Sequence, residues 1–244
     1  MVTGASLGIG AGTALALADA GYDLVVSATR LDNLAATVAS IEARGAAVTP
    51  VVLDLRSQTS LALAMEQAIA AYGRLDVLVN NAGVTLRRKA LDVSRDEWND
   101  VIETNLTGTF FITQSMGRHL VASERAGSII SMASTHGLVG FATRAVYGIS
   151  KAAIMQMTRM LAIEWAEHGI RVNAVAPGRV ESASPARAEN VSDPNYMRMA
   201  MARVPLHRSA RIDEVAAAVC YLASANAAYV TGQTLVLDGG LTAQ

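Results

Sequence analysis

The sequence predicts an α/β fold, a doubly wound sheet of about seven parallel strands with helices on both faces. Three observations carry this. Short β-branched runs alternate with stretches of period 3.6 along all 244 residues. A glycine-rich turn leads from the first strand into the first helix. Polar or glycine residues follow directly on the apolar strands, at the edge where open α/β sheets place ligands. Hydrophobic residues make up 52% of the chain and charged residues 17%, enough apolar material for a sheet buried on both faces.

Met1-Val2-Thr3 reads as the tail of a strand. Gly4-Ala-Ser-Leu-Gly8-Ile-Gly10 follows, then a helix that runs to Ala20 and stops at Gly21. The next strand is Leu24 to Ala28, with a helix from about Leu31 to Arg44. A third strand, Val48 to Leu53, ends in Asp54-Leu55, and a helix follows over Gln58–Tyr72. The fourth strand, Leu75 to Val79, runs into Asn80-Asn81-Ala82-Gly83. A helical stretch spans Ser94 to Ser123 and contains Asn105 and Gly108, both poor mid-helix residues. Asn105 therefore marks a distortion kept for a polar contact. The fifth strand is Gly127 to Met132, the next helix 145–168, the sixth strand Ile170 to Val175, and then Ala176-Pro177-Gly178 makes a turn. From Arg179 to Val204 the periodicity breaks down around Pro185 and Pro194, as expected of a substrate or lid loop with a short helix near 196–203. A helix over Arg211 to Ser224, with Asp213 and Glu214 in its first turn, and a strand from Thr234 to Leu237 complete the chain. No linker or repeat divides the chain, so 1–244 is expected to form a single domain, with a substrate loop at 179–204.

The chemistry centres on Tyr147-Gly-Ile-Ser-Lys151. Residues four apart share a helix face, so the phenol and the ammonium meet in one pocket. A phenol with an ordinary pKa of about 10 is a poor base at neutral pH, and a fixed cation beside it favours the phenolate. The pair can then serve as general acid/base for an alcohol or carbonyl. Ser134 stands thirteen positions upstream, at the end of a strand. In the glycine loop the backbone can approach a pyrophosphate, and the helix start supplies free N–H donors. After the strand Leu24 to Ala28, no carboxylate stands at 28–30; Thr29 and Arg30 favour the 2′-phosphate of NADP over the ribose of NAD. Asp23 lies at the wrong end of that strand.

The net charge of −1 and the lack of a basic block argue against nucleic acid as a partner. The single cysteine, Cys220, is read as a buried helix residue and fits a reducing cytoplasm. No signal peptide or membrane span is expected, and the four histidines show no metal-ligand spacing. His136 is read as a local hydrogen-bonder. Arg144, Arg179 and His207 are candidates to meet an anionic substrate, each set against a plain surface role, and Met197, Met199 and Met201 form either a pocket wall or one side of a short helix.

Together these residues are recognisable. Thr3-Gly-x3-Gly-x-Gly10, Asp54, Asn80-Asn-Ala-Gly83, Asn105, Ser134, Tyr147-x3-Lys151, Pro177-Gly178 and Asp238-Gly-Gly240 resemble, in order and spacing, the short-chain dehydrogenase/reductase family over the whole chain. The chain looks most like its 3-oxoacyl carrier-protein reductases, polyol and sugar dehydrogenases and hydroxysteroid dehydrogenases. The resemblance implies a Rossmann fold and a small-molecule alcohol or ketone substrate. It implies that Tyr147 exchanges the proton, Ser134 holds the substrate oxygen, Lys151 binds the nicotinamide ribose, and Asn105 holds a water in the relay. Thr3, Gly4, Ser6, Leu7, Gly8, Ile9, Gly10, Leu55, Ala82 and Gly83 would contact the cofactor, Asp54 its adenine, Asn81 its adenosine side, and Pro177, Gly178 and Val180 would border the nicotinamide. A homotetramer is implied, with helices near 94–123 and 145–168 forming one dimer face.

Three departures stand out. Only three residues precede the glycine motif, where the family has a full first strand, so a lower stability is expected. Leu7 occupies a position where many NADP-using relatives carry Arg, which leaves Arg30 more isolated and keeps NAD open as the cofactor. Ala133 replaces a second serine without consequence. Two other readings stay open: an NAD-linked polyol or sugar dehydrogenase, and a catalytically weak protein that binds the cofactor and regulates a partner.

Overall fold

The computed structural model describes residues 1–181, 198 and 201–243. Six strands are formed among them: β1 Leu24–Ala28, β2 Val48–Val52, β3 Val77–Asn80, β4 Gly127–Met132, β5 Ile170–Pro177 and β6 Thr234–Leu237. All pairings are parallel, with Leu24 beside Val48, Val77 beside Ser128, Gly127 beside Ile170 and Ala174 beside Thr234. The expected seventh strand is a stub centred on Val2, which bridges Val26 on one side and Val79 on the other. Its Val2 N–H donates to the Val25 carbonyl at 2.8 Å and its Thr3 N–H to the Val79 carbonyl at 3.0 Å. The stub thus joins the β1–β2 pair to the β3–β4–β5–β6 sheet. The chain leaves it in one direction through β1 and β2 and returns to its other side at β3, so the strand order reverses there.

Successive strand residues point to opposite faces, and two cores result. Leu24, Val26, Val77, Val79, Ile130 and Val175 pack with α1 (Gly8–Asp19), α2 (Ala35–Glu42) and the C-terminal helix α7 (Ile212–Ala223). Val25, Leu78, Ile129, Val172 and Ala174 pack with α3 (Gln58–Tyr72), α5 (Thr109–Ala122) and α6 (Ala145–Glu164). The helix ends follow local chemistry. Ser57 caps α3, and Gly73 closes it at φ +68°. Ser94 and Glu97 form a reciprocal capping box at the start of α4 (Arg95–Ile102).

The structure departs from the sequence reading at a few points. The helix expected from Leu31 opens as a 3₁₀ turn, Leu31–Leu34, and ends at Glu42. The stretch 94–123 is interrupted by a π-helical segment, Glu103–Gly108, around Asn105. Of the short helix expected near 196–203, residues 198, 201 and 202 are described and helical; most of the 179–204 loop, with Met197 and Met199, lies outside the described residues. Cys220 is half-buried rather than buried, and burial still pushes its thiol up. No described helix is long and apolar enough to cross a membrane.

Candidate active site

The residues singled out in the sequence gather at the C-terminal ends of the strands, beside the point where the strand order reverses. The glycine loop lies against the turn after β3. Gly4 has φ +64°, and a Cβ there would come within 2.7 Å of the Ala82 Cα. A Cβ on Gly10 would run into the Gly4 carbonyl and the Asn81 side-chain amide. Glycine therefore keeps the loop tight and its backbone accessible. The loop then feeds α1, whose first turn carries no side-chain cap and no acidic residue. Its N–H groups are left for an external anion, the arrangement that suits a pyrophosphate.

Asn81, expected on the adenosine side, supports this loop from beneath. Its Nδ2 donates to the Thr3 and Gly4 carbonyls at 3.0 and 2.9 Å, while the Thr3 hydroxyl accepts from the N–H groups of Asn81 and Ala82, each at 3.0 Å. Leu55 is buried in the core. Asp54 is half-exposed and paired with Arg56, whose main-chain N–H it accepts at 3.0 Å; that bond, ahead of the ion pair, holds its carboxyl below the usual range. Thr29 and Arg30 are exposed at the end of β1, and Arg30 pairs with Asp32 at 3.2 Å. Exposed pairs of this kind are worth roughly 0–1 kcal/mol, so a phosphate can compete for the guanidinium. Leu7 is exposed at the start of α1. Pro177 ends β5, Gly178 donates its N–H to the Leu237 carbonyl, and Val180 is buried and bridged to Ala210.

Tyr147 and Lys151 lie one turn apart on α6, with the Lys151 Nζ 5.7 Å from the centre of the Tyr147 ring. Lys151 is only 5% exposed, and its Nζ donates to the Met132 carbonyl at 2.6 Å. Burial pushes its ammonium down to about 8. Gly83 completes the contact, since a Cβ there would lie 3.0 Å from Asn105 Oδ1 and 3.7 Å from Lys151 Nζ.

Asn105 explains the π-helical segment. Its Oδ1 accepts from the Val84 N–H and its Nδ2 donates to the Val84 carbonyl, both at 2.8 Å. The same Nδ2 donates to Ser150 Oγ at 3.2 Å, and Ser150 Oγ donates to the Tyr147 carbonyl at 2.7 Å. One buried amide therefore ties the turn after β3 to the turn of α6 that carries Tyr147. The distortion expected at Asn105 is present, and the polar contact it serves is the Val84 main chain.

Ser134, 6% exposed, begins a 3₁₀ turn in which its Oγ accepts from the His136 N–H at 3.2 Å and lies 3.1 Å from His136 Nδ1. The His136 ring meets the Tyr147 ring edge-on, with centres 5.7 Å apart. His136 thus links the two residues; the i, i+2 spacing of Ser and His was the local signal for it. Arg144 donates to Thr85 Oγ1 at 2.7 Å and latches the turn after β3 to the start of α6. Among the described residues, no group of three His, Cys, Asp or Glu side chains is placed to hold a metal.

A family model described as enoyl-(acyl carrier protein) reductase matches residues 4–242. The chain is 36% identical to the 3-oxoacyl-[acyl-carrier-protein] reductase FabG of Thermotoga maritima, covering 99% of this chain and 96% of that protein. The chain belongs to the short-chain dehydrogenase/reductase family. It is an NAD(P)-dependent oxidoreductase acting on CH–OH groups. This dehydrogenase/reductase is also 34% identical to the 2-dehydro-3-deoxy-D-gluconate 5-dehydrogenase of Escherichia coli (strain K12), over 100% of this chain and 95% of that one. A gluconate 5-dehydrogenase from Burkholderia cenocepacia J2315, solved in complex with NADP and tartrate, superposes with a TM-score of 0.94 at 32% identity, covering 99% of this chain and 94% of that one.

Proposed function

We propose that this enzyme uses NADP(H) to interconvert a secondary alcohol and a ketone, with Tyr147 as the general acid/base. The observation that carries the reading is the buried Lys151 ammonium within one helical turn of the Tyr147 ring, at the rim of a sheet whose glycine loop is shaped for a pyrophosphate. The glycine loop and the uncapped start of α1 would hold the phosphates, Thr29 and Arg30 the 2′-phosphate, and Lys151 the nicotinamide ribose. Asp54, Leu55, Asn81, Ala82, Gly83, Pro177, Gly178 and Val180 complete the proposed contacts or the walls behind them. When bound, the nicotinamide supplies or accepts the hydride.

The protein's own groups handle the proton and the oxygen. In reduction, Ser134 donates a hydrogen bond to the carbonyl oxygen, and Tyr147 passes it a proton as negative charge develops there. In oxidation, the phenolate of Tyr147 takes the alcohol proton. Lys151, held by the Met132 carbonyl, favours that phenolate. Asn105 keeps the turn of α6 at the correct depth.

A panel of ketones and alcohols assayed by NAD(P)H absorbance with both cofactors tests the reading. Turnover is expected with NADPH, together with tighter binding of NADPH than NADH and a loss of that preference in Arg30→Ala. Tighter NADH binding would favour an NAD-linked polyol or sugar dehydrogenase instead, and tight binding without turnover on any substrate would favour a regulatory protein. The gluconate-directed relatives support a hydroxy acid as the first substrate to try. The proposal includes a cytoplasmic homotetramer. It is supported by exposed apolar side chains on α5 and α6, among them Phe111, Ile149, Met160 and Ile163, and light scattering after gel filtration tests it.

A further inference from the structure

The reading of Ser134 as the donor to the substrate oxygen, on which this inference rests, turns on how its hydroxyl is shared with His136. A serine hydroxyl has one hydrogen and two lone pairs. The His136 N–H already occupies one lone pair of Ser134 Oγ at 3.2 Å, and His136 Nδ1 stands at 3.1 Å from the same oxygen. Two arrangements follow. If Nδ1 lacks a proton, it draws the Ser134 hydrogen to itself, and the serine faces the substrate as an acceptor. If Nδ1 carries a proton, it fills the second lone pair, and the Ser134 hydrogen is left for the substrate oxygen. Developing negative charge on that oxygen requires a donor.

We propose that His136 is a positioning residue that carries a proton on Nδ1, donates it to Ser134 Oγ and thereby presents the Ser134 hydroxyl as a donor. The ring is held for this task on two sides: Phe141 stacks against it with centres 4.1 Å apart at 37°, and Tyr147 meets it edge-on at 75°. With Ser134 only 6% exposed, bulk water is a poor substitute for the imidazole.

The test uses the full-length enzyme with NADP bound. Nitrogen-15 NMR of histidine-labelled protein, assigned with His136→Asn, reads the protonation of Nδ1 directly. A protonated Nδ1 is expected; an unprotonated Nδ1 in the complex overturns the proposal. In kinetics, His136→Leu is expected to lower kcat about tenfold, less than the roughly 10²-fold or greater loss typical when such a donor is removed outright, while KM for NADPH is unchanged. His136→Asn, which can place an amide N–H where Nδ1 stood, is expected to recover kcat to within a few-fold of wild type. An unchanged kcat in His136→Leu, or a His136→Asn variant as slow as His136→Leu, refutes it. If His136→Leu does not fold, the NMR result and the His136→Asn rate decide. Ser134→Ala separates the two levels: full activity there overturns the assignment of Ser134 itself, whereas an inactive Ser134→Ala beside an unaffected His136→Leu overturns only the role of His136.

Discussion

Replacing Lys151 by methionine exposes the cost of the site to the fold. Burial pushes the ammonium from its ordinary 10.5 to about 8. At about 1.36 kcal/mol per pKa unit, the charged form costs the folded cofactor-free protein on the order of 3 kcal/mol. The sign follows from proton linkage. Between pH 8 and 10.5 the unfolded chain binds the proton more tightly than the folded one, so wild-type stability rises with pH across that window; the penalty is fully present below about 8 and gone above 10.5. Lys151→Met removes this titration but leaves the Met132 carbonyl without its 2.6 Å donor, which costs roughly 1–3 kcal/mol at every pH. The decisive quantity is therefore the pH dependence of the difference. Denaturant unfolding of both cofactor-free proteins at pH 7 and pH 10 should show the variant losing about 2–3 kcal/mol relative to wild type over that interval, because the other titrating groups are common to both. A difference that stays constant with pH, or grows in the variant's favour, refutes the account of Lys151 as a buried, strained ammonium.

Two further outcomes follow from the geometry. Asn105→Ala removes three hydrogen bonds at a buried position and should cost about 2 kcal/mol in denaturant unfolding; kcat should fall at least tenfold, because the turn carrying Tyr147 loses its tie to Val84. Gly10→Ala places a Cβ against Gly4 and Asn81, so the Kd for NADPH by fluorescence titration should rise at least tenfold, a change of about 1.4 kcal/mol.

The layered architecture was legible because strand and helix periodicities differ and because glycine has few reasons to recur at Gly4, Gly8 and Gly10. The distortion at Asn105 could be located because asparagine and glycine inside a helix oppose local propensity. What it served could not, since its partner Val84 is twenty-one residues away and offers only main-chain atoms. Asn81 shows the same limit: its place after β3 suggests a ligand contact, yet its amide is spent on the Thr3 and Gly4 carbonyls, a pairing that exists only once the stub lies beside β3. Arg30 and Asp54 could be placed at the right edge of the sheet, but their ion pairs with Asp32 and Arg56 depend on side-chain reach that spacing does not encode. His136 was within range, because Ser134 and His136 are two residues apart and a serine opening a 3₁₀ turn commonly accepts from that N–H; the side-chain contact needed the ring orientation imposed by Phe141.

Tyr147→Phe tests the central claim most directly, because it deletes one hydroxyl and leaves the ring beside Lys151 and His136 in place. Single-turnover kinetics should show NADPH bound with wild-type affinity and ketone reduction slowed by at least about 10²-fold, the size of a lost general acid. Reduction at a near wild-type rate would contradict the assignment of the proton to this residue.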